Sequence, residues 1–270
     1  MRTLASDLDG TIIFGDEVHA DDVRALVRWR QEGNLVIAST ARSVARAHAG
    51  LALLEEASGT GAPVFDYAVC STGGTVIDAH GSLLRNLLIP AQAVRAVHDA
   101  LVDRDDVSVN ALSVTGSYVI HDPLRFNEER ERRGHRFTPM SIDEVDDVEV
   151  SSMSVKVVSE ERAASLAPVL ADALAGRAEV SRSAGFVDVV PAGASKARGL
   201  RWLLGRLRAR GVATGELVAV GDSHNDVPMF ELADRAWAMD GAVDEVAARA
   251  DGRTASVGAL LDRLLAEARA

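Results

Sequence analysis

Short aliphatic and β-branched runs alternate along the chain with longer Ala/Leu/Arg segments whose apolar positions recur every three or four residues. That rhythm predicts βα units around a mainly parallel sheet. Residues 3–8 read as a first strand, and 21–31 as a helix with Val23, Leu26, Val27 and Arg30 along one face. Gly33-Asn34 ends that helix; a strand at 35–38, a helix at 43–57 and a strand at 64–70 follow. After Gly73-Gly74 the segments shorten and turn hairpin-like, at 75–78, 107–112 and 117–121. The most polar stretch, 127–136, interrupts them. A strand at 153–159, a helix at 160–174 and paired strands within 179–190 come next. The βα rhythm then resumes near Pro191, with helices at 194–210, 225–233 and 257–268 and a strand at 216–221. The expectation is an α/β core formed by residues 1–84 and 188–270, split by an α+β insertion at 85–187.

Composition narrows the partners. Against 29 basic residues stand 40 acidic ones, a net charge of −11, so the overall field repels nucleic acid and anionic lipid. Aromatics are only 4% and interleave with no basic stripe, which argues against a nucleic-acid surface. No uncharged apolar run approaches the roughly 18 residues of a membrane span. Asp7 interrupts the N-terminus before a signal-peptide apolar region could form, and the single cysteine, Cys70, fits a reducing compartment. The expectation is a cytoplasmic protein with no nucleic-acid, membrane or obligate protein partner. Cys70, ending a strand without an adjoining base, reads as a buried apolar thiol. The seven histidines lack metal-ligand spacing, so zinc is not expected.

Two acidic clusters carry the chemistry. Asp7-Leu8-Asp9-Gly10-Thr11 follows the first apolar strand, and Gly221-Asp222-Ser223-His224-Asn225-Asp226 follows the strand at 216–221. In open α/β sheets, ligands bind at the carboxyl ends of the strands. Carboxylates at such ends suit a hard divalent cation that prefers oxygen donors. Taken singly, each cluster could be an acidic turn or a helix cap; two that face one crevice are harder to explain that way. Thr40 places a hydroxyl at the end of the strand at 35–38. Lys196 opens a helix, where its ammonium and nearby N–H groups could hold an anion. Lys156 and Lys196 are the only lysines in a chain that otherwise uses arginine, so a compact point charge is wanted at position 196.

In order, Asp7-Leu8-Asp9-Gly10-Thr11, Thr40, Lys196 and Gly221 through Asp226 resemble the four motifs of the haloacid dehalogenase (HAD) superfamily of phosphatases. The insertion, with Val189 through Lys196 and Asp222 through Met229, resembles the Cof-type, type IIB branch. The resemblance implies a Rossmann-like HAD core with a mainly parallel sheet and an inserted α+β (C2B) cap that closes over the nucleophile. It implies Asp7 as the nucleophile that becomes an aspartyl phosphate, and Asp9 as the acid and then base. Mg²⁺ would be held by Asp7, the backbone carbonyl of Asp9 and Asp222, with Asp226 in support. Thr40, Lys196 and Asn225 would bind the phosphoryl group. The implied activity is hydrolysis of small phosphorylated metabolites, sugar phosphates or related monoesters. A phosphomutase and a non-catalytic phosphate-binding regulator are the alternatives.

Ala41, Thr72 and Asp240-Gly241 depart from the branch pattern without removing a catalytic group. Arg42, Lys156 and His224 are further candidates for substrate contacts: Lys156 alternates with Val155 and Val157 on an expected strand, and His224 lies within the fourth motif.

Overall fold

The computed structural model describes residues 1–15, 17–132, 134–183 and 185–268, and they divide into two units. One unit comprises residues 1–42, 46–85 and 195–270; the other comprises 43–45 and 86–194.

The first unit is built on an eight-stranded sheet. Its order is Gly252–Thr254, Arg235–Met239, Glu216–Gly221, Arg2–Ser6, Leu35–Ser39, Tyr67–Cys70, Thr75–Asp78 and Leu83–Asn86. The first six are parallel, and Thr75–Asp78 turns back antiparallel to Tyr67–Cys70. The central strands are buried almost throughout, because helices cover both faces. On one face Leu200, Leu203 and Leu207 of the helix Lys196–Ala209 pack on Ala5, Ile37, Val69 and Ala219. Elsewhere in this unit Asp22, 1% exposed on the helix Ala20–Gln31, accepts a 2.6 Å hydrogen bond from the Gly258 N–H at the start of Val257–Glu267.

The strand order fixes where a ligand can bind. From Arg2–Ser6 the chain builds outward to Leu35–Ser39 and Tyr67–Cys70; the later strands build outward on the other side. The direction reverses between Arg2–Ser6 and Glu216–Gly221, a topological switch point. Asp7 and Asp222 sit immediately beyond those two strand ends.

The second unit is a six-stranded sheet in the order Thr138–Pro139, Ser117–His121, Val107–Leu112, Ser152–Val157, Phe186–Pro191 and Ala178–Ser183. All neighbours are antiparallel except Thr138–Pro139 with Ser117–His121. Period-2 alternation sends Val107, Val109, Met153, Val155, Val187 and Val189 into a core with the helices Ala91–Leu101 and Glu160–Leu174. Ser108, Asn110, Ser154, Lys156 and Asp188 alternate with them. Asn110 and Asn127 exchange reciprocal amide bonds of 3.1 and 2.9 Å, and Ser108 bonds Asp122, whose carboxylate also caps the helix Phe126–Arg132.

Pattern reading missed several elements. The helix Ala91–Leu101 carries a legible stripe in Val94, Val97 and Leu101. The strands Arg235–Met239 and Gly252–Thr254 are short and carry charges. Phe186–Pro191 pairs along its length with Ala178–Ser183 and over residues 186–189 with Ser152–Val157, and the first unit resumes at 195. Within the polar stretch 127–136, position 133 lies outside the described residues. No helix among the described residues is long and apolar enough to cross a membrane.

Candidate active site

Lys196 organises the centre of the site. It is the first residue of its helix, N-capped by Ser195, and its side chain is 1% exposed. Nζ donates to Asp7 Oδ1 and to Asp226 Oδ1, each at 2.6 Å. Asp226 uses its other oxygen on its own loop, accepting from the N–H groups of Asp222 at 3.1 Å and Ser223 at 3.0 Å. It therefore ties the loop to the lysine with both oxygens engaged. Asp222 presents a buried Oδ1 with no hydrogen-bond partner in the structure. Gly10, at φ +81°, allows this approach: a Cβ there would lie 2.4 Å from Asp222 Oδ2.

The electrostatics follow from burying three acids beside one cation. Burial is the largest influence on Asp7 and raises it well above the ordinary carboxylate range; Lys196 lowers it, and Asp226 and Asp222 raise it further. Asp222 is pushed up to about 6 by burial and then by the Asp226 charge. Lys196 is raised despite its burial, because Asp226 and Asp7 favour its charged form. One ligand atom each from Asp7, Asp222 and Asp226 lies within 4.8 Å of the others. Fully ionised, the three carboxylates would exceed the one ammonium by two negative charges, and the orphaned Asp222 oxygen lacks a partner. A divalent oxygen-seeking cation fits that donor set and that charge.

Asp9 stands apart from this cluster. Arg42 grips its carboxylate with two prongs, Nε to Oδ2 at 2.8 Å and Nη2 to Oδ1 at 2.6 Å. Burial alone would raise Asp9, but the hydrogen bonds and charge of Arg42, aided by Arg46 and Lys196, outweigh it and hold the carboxyl below its usual range. Thr40 is fully buried and its Oγ1 accepts from the Arg42 N–H at 3.1 Å; Asn225 is 8% exposed and its Oδ1 accepts from Ser223 Oγ at 3.0 Å.

The first unit thus brings Asp7, Lys196, Asp222 and Asp226 into direct or near contact, with Asp9, Thr40, Arg42 and Asn225 on the flanking loops. His224 is exposed and its Nε2 lies 3.2 Å from Glu245. Lys156 belongs to the second unit, with its ammonium 4.6 Å from the centre of the Phe186 ring and 5.8 Å from that of Phe126. Sequence reasoning missed the fork between Arg42 and Asp9, whose signal was the arginine two positions after Thr40 at a strand end. Ser71 and Thr72 were also missed as backbone features: both adopt left-handed φ, 49° and 50°, directly after the strand Tyr67–Cys70. Cys70 is fully buried, and burial pushes its thiol up to about 12.

Known proteins resemble this chain at two levels. One is the 5-amino-6-(5-phospho-D-ribitylamino)uracil phosphatase YwtE of Bacillus subtilis, 36% identical over 69 residues, covering 26% of this chain and 23% of that protein. The curated relatives it matches first are covered over only 14% to 23% of their own length. Among solved structures, the HAD phosphatase BT1666 of Bacteroides thetaiotaomicron superposes with a TM-score of 0.76 at 24% identity, covering 98% of this chain and 94% of that one. The HAD subclass IIB sugar phosphatase BT4131 gives a TM-score of 0.79 at 20% identity over 99% of both chains. These likenesses show the fold. The sequence profile of the haloacid dehalogenase-like hydrolases matches residues 4–258, and the chain belongs to that family.

Proposed function

We propose that this protein is a Mg²⁺-dependent phosphatase that hydrolyses small phosphorylated metabolites of the sugar- or polyol-phosphate class through an aspartyl phosphate at Asp7. The observation that carries the reading is the buried Lys196 ammonium bonded to Asp7 and Asp226 beside the orphaned Asp222 carboxylate oxygen. The substrate class rests on chemistry shared by two of the similar proteins: the name of one gives a phosphorylated ribityl compound, and the other is a sugar phosphatase.

Asp9 first takes up a proton from solvent against the pull of Arg42; the Asp7 carboxylate then attacks phosphorus, the bond from phosphorus to the ester oxygen breaks, and Asp9 gives that oxygen its proton. Water then attacks the aspartyl phosphate, Asp9 takes the water proton, and phosphate leaves with the Asp7 carboxylate restored. Lys196 holds Asp7 in place and offsets the repulsion between two anions, while Thr40 and Asn225 position the phosphoryl oxygens. Asp7, the Asp9 carbonyl and Asp222 would hold Mg²⁺, with Asp226 fixing the loop behind them. When bound, the ion supplies the positive charge that lets carboxylate and phosphate approach.

The test is release of phosphate with Mg²⁺ from a panel of sugar, polyol and nucleoside phosphates, ranked by kcat/KM, together with Asp7→Asn. The expected result is preference for sugar and polyol phosphates over nucleotides, a phosphorylated Asp7 peptide after acid quench, and no turnover by the variant. Wild-type turnover by Asp7→Asn would refute the nucleophile, and a ranking led by nucleotides would refute the substrate class.

A further inference from the structure

The Arg42 guanidinium is held on three sides. Nε and Nη2 take the two oxygens of Asp9, and Nη1 reaches the carbonyl of Arg46 at 3.4 Å. The third side is the helix Val44–Ser58 at Gly50. A Cβ added to Gly50 would lie 2.4 Å from Arg42 Nη1 and 2.9 Å from Ile13 Cδ1. Glycine weakens a helix interior relative to alanine. Here it leaves a notch that the guanidinium fills.

The fork joins an enclosed guanidinium, 8% exposed, to a carboxylate that reaches solvent, 54% exposed. It restricts where that carboxylate can go. Each carboxylate oxygen has two lone pairs, so a fork that takes one from each leaves the outer side of Asp9 free for a proton. Arg42 favours the ionised carboxyl, and the protonated form still offers it its carbonyl oxygen.

We propose that Arg42 is a positioning residue for Asp9, seated in a notch that Gly50 keeps open, and that this arrangement sets the turnover of esters whose leaving group needs a proton. The inference rests on the reading of Asp9 as proton donor. In that step the electron pair of the breaking phosphorus–oxygen bond stays on the ester oxygen, and the Asp9 proton moves to it as Asp7 bonds to phosphorus. A carboxyl loose about its side-chain torsions is within reach of that oxygen less often. Arg42 acts through Asp9 and makes no substrate contact in this reading, so its loss should lower kcat and spare KM.

The experiment compares wild type, Arg42→Ala, Arg42→Lys, Gly50→Ala and Asp9→Asn on p-nitrophenyl phosphate and phenyl phosphate with Mg²⁺, alongside melting temperatures. Nitrophenolate leaves with little need of a proton, whereas the more basic phenolate needs one. A displacement of about 1 Å can lower a rate on the order of 100-fold, so phenyl phosphate turnover by Arg42→Ala and Gly50→Ala should fall by about that factor with KM unchanged. Turnover of p-nitrophenyl phosphate should fall by about tenfold less, since its leaving group draws less on the acid. Arg42→Lys keeps a charge but not the fork, so it should track Arg42→Ala. Gly50→Ala should melt at or above the wild-type temperature, because alanine favours the helix and the displaced atoms are side-chain ends. A raised KM with intact kcat in Arg42→Ala would overturn the proposal in favour of a substrate contact. So would Gly50→Ala at wild-type rate on phenyl phosphate, or equal losses on both esters. Wild-type turnover by Asp9→Asn would instead refute the reading of Asp9 itself, leaving the two failures distinguishable.

Discussion

Stripping the divalent cation should make the folded protein less stable as pH rises, the reverse of ordinary acid denaturation. Asp222 is pushed up to about 6 by burial and by Asp226, against 3.8 for an unperturbed aspartate. Between those values the native state binds more protons than the unfolded chain, so stability falls with rising pH. The contribution is complete below 3.8 and is lost as pH passes through about 6. A gap of about 2 pKa units is worth about 3 kcal/mol, or about 2 once partial solvent exposure is allowed for. Asp7 is raised as well and adds in the same direction. Asp9, Asp78, Asp146 and Glu267 are lowered, so their stabilisation is lost only as pH falls below the usual carboxylate range. Urea unfolding from about pH 4.5 to 7.5, in EDTA and in excess Mg²⁺, reads the effect. The EDTA series should lose about 2 kcal/mol across that range. Mg²⁺ should restore it at the upper end, by about 2.7 kcal/mol when present at 100 times its dissociation constant. Asp222→Asn should flatten the EDTA slope, which assigns it to this carboxylate. Superposable EDTA and Mg²⁺ series, or an unchanged slope in Asp222→Asn, would refute the argument.

Three further outcomes are expected. Lys196→Arg keeps the charge but cannot fit a wide planar guanidinium where one buried ammonium bonds two carboxylates at 2.6 Å; kcat/KM should fall on the order of 100-fold and the melting temperature should drop. Thr72→Asn should stabilise by about 1 kcal/mol, raising the melting temperature by about 2–4 °C, because asparagine tolerates the left-handed backbone that a β-branched residue resists; a lower melting temperature would refute the strain. Asp22→Ala removes the acceptor for Gly258 N–H and should cost about 1–2 kcal/mol in urea unfolding while leaving kcat intact.

What was legible in the sequence depended on how local its cause was. The strand at 107–112 and the helix at 160–174 could be read from periodicity because each presents one apolar face to a single core. The two acidic clusters could be read because the backbone itself places strand ends in one crevice. The helix Phe126–Arg132 could not: it is charged, and it is held by Asp122 and Asn110, partners that only the folded sheet supplies. The same reason hid the roles of Arg42 and Gly50, eight residues apart, which become related only through Asp9 and the notch beside it.

Lysine usage shows how far residue choice alone can carry an argument. Two lysines stand among 29 basic residues; the bias points to a compact charge at position 196, whereas Lys156 is a candidate through its place on a strand. At position 196 the structure gives the reason: the ammonium donates two short bonds in different directions within a buried space, which a fork built for one carboxylate does not match. At position 156 the ammonium lies against the Phe186 and Phe126 rings, a contact that arginine also makes in this chain, as Arg130 does over Phe126, so it gives no reason for a lysine there. The arginine-for-lysine bias therefore marks a point charge at 196, where two carboxylates share one ammonium, and carries no such meaning at 156. Arg42 is the complement. Where a carboxylate must be gripped through both oxygens, this chain uses the fork, and it places a helix glycine where the fork needs room.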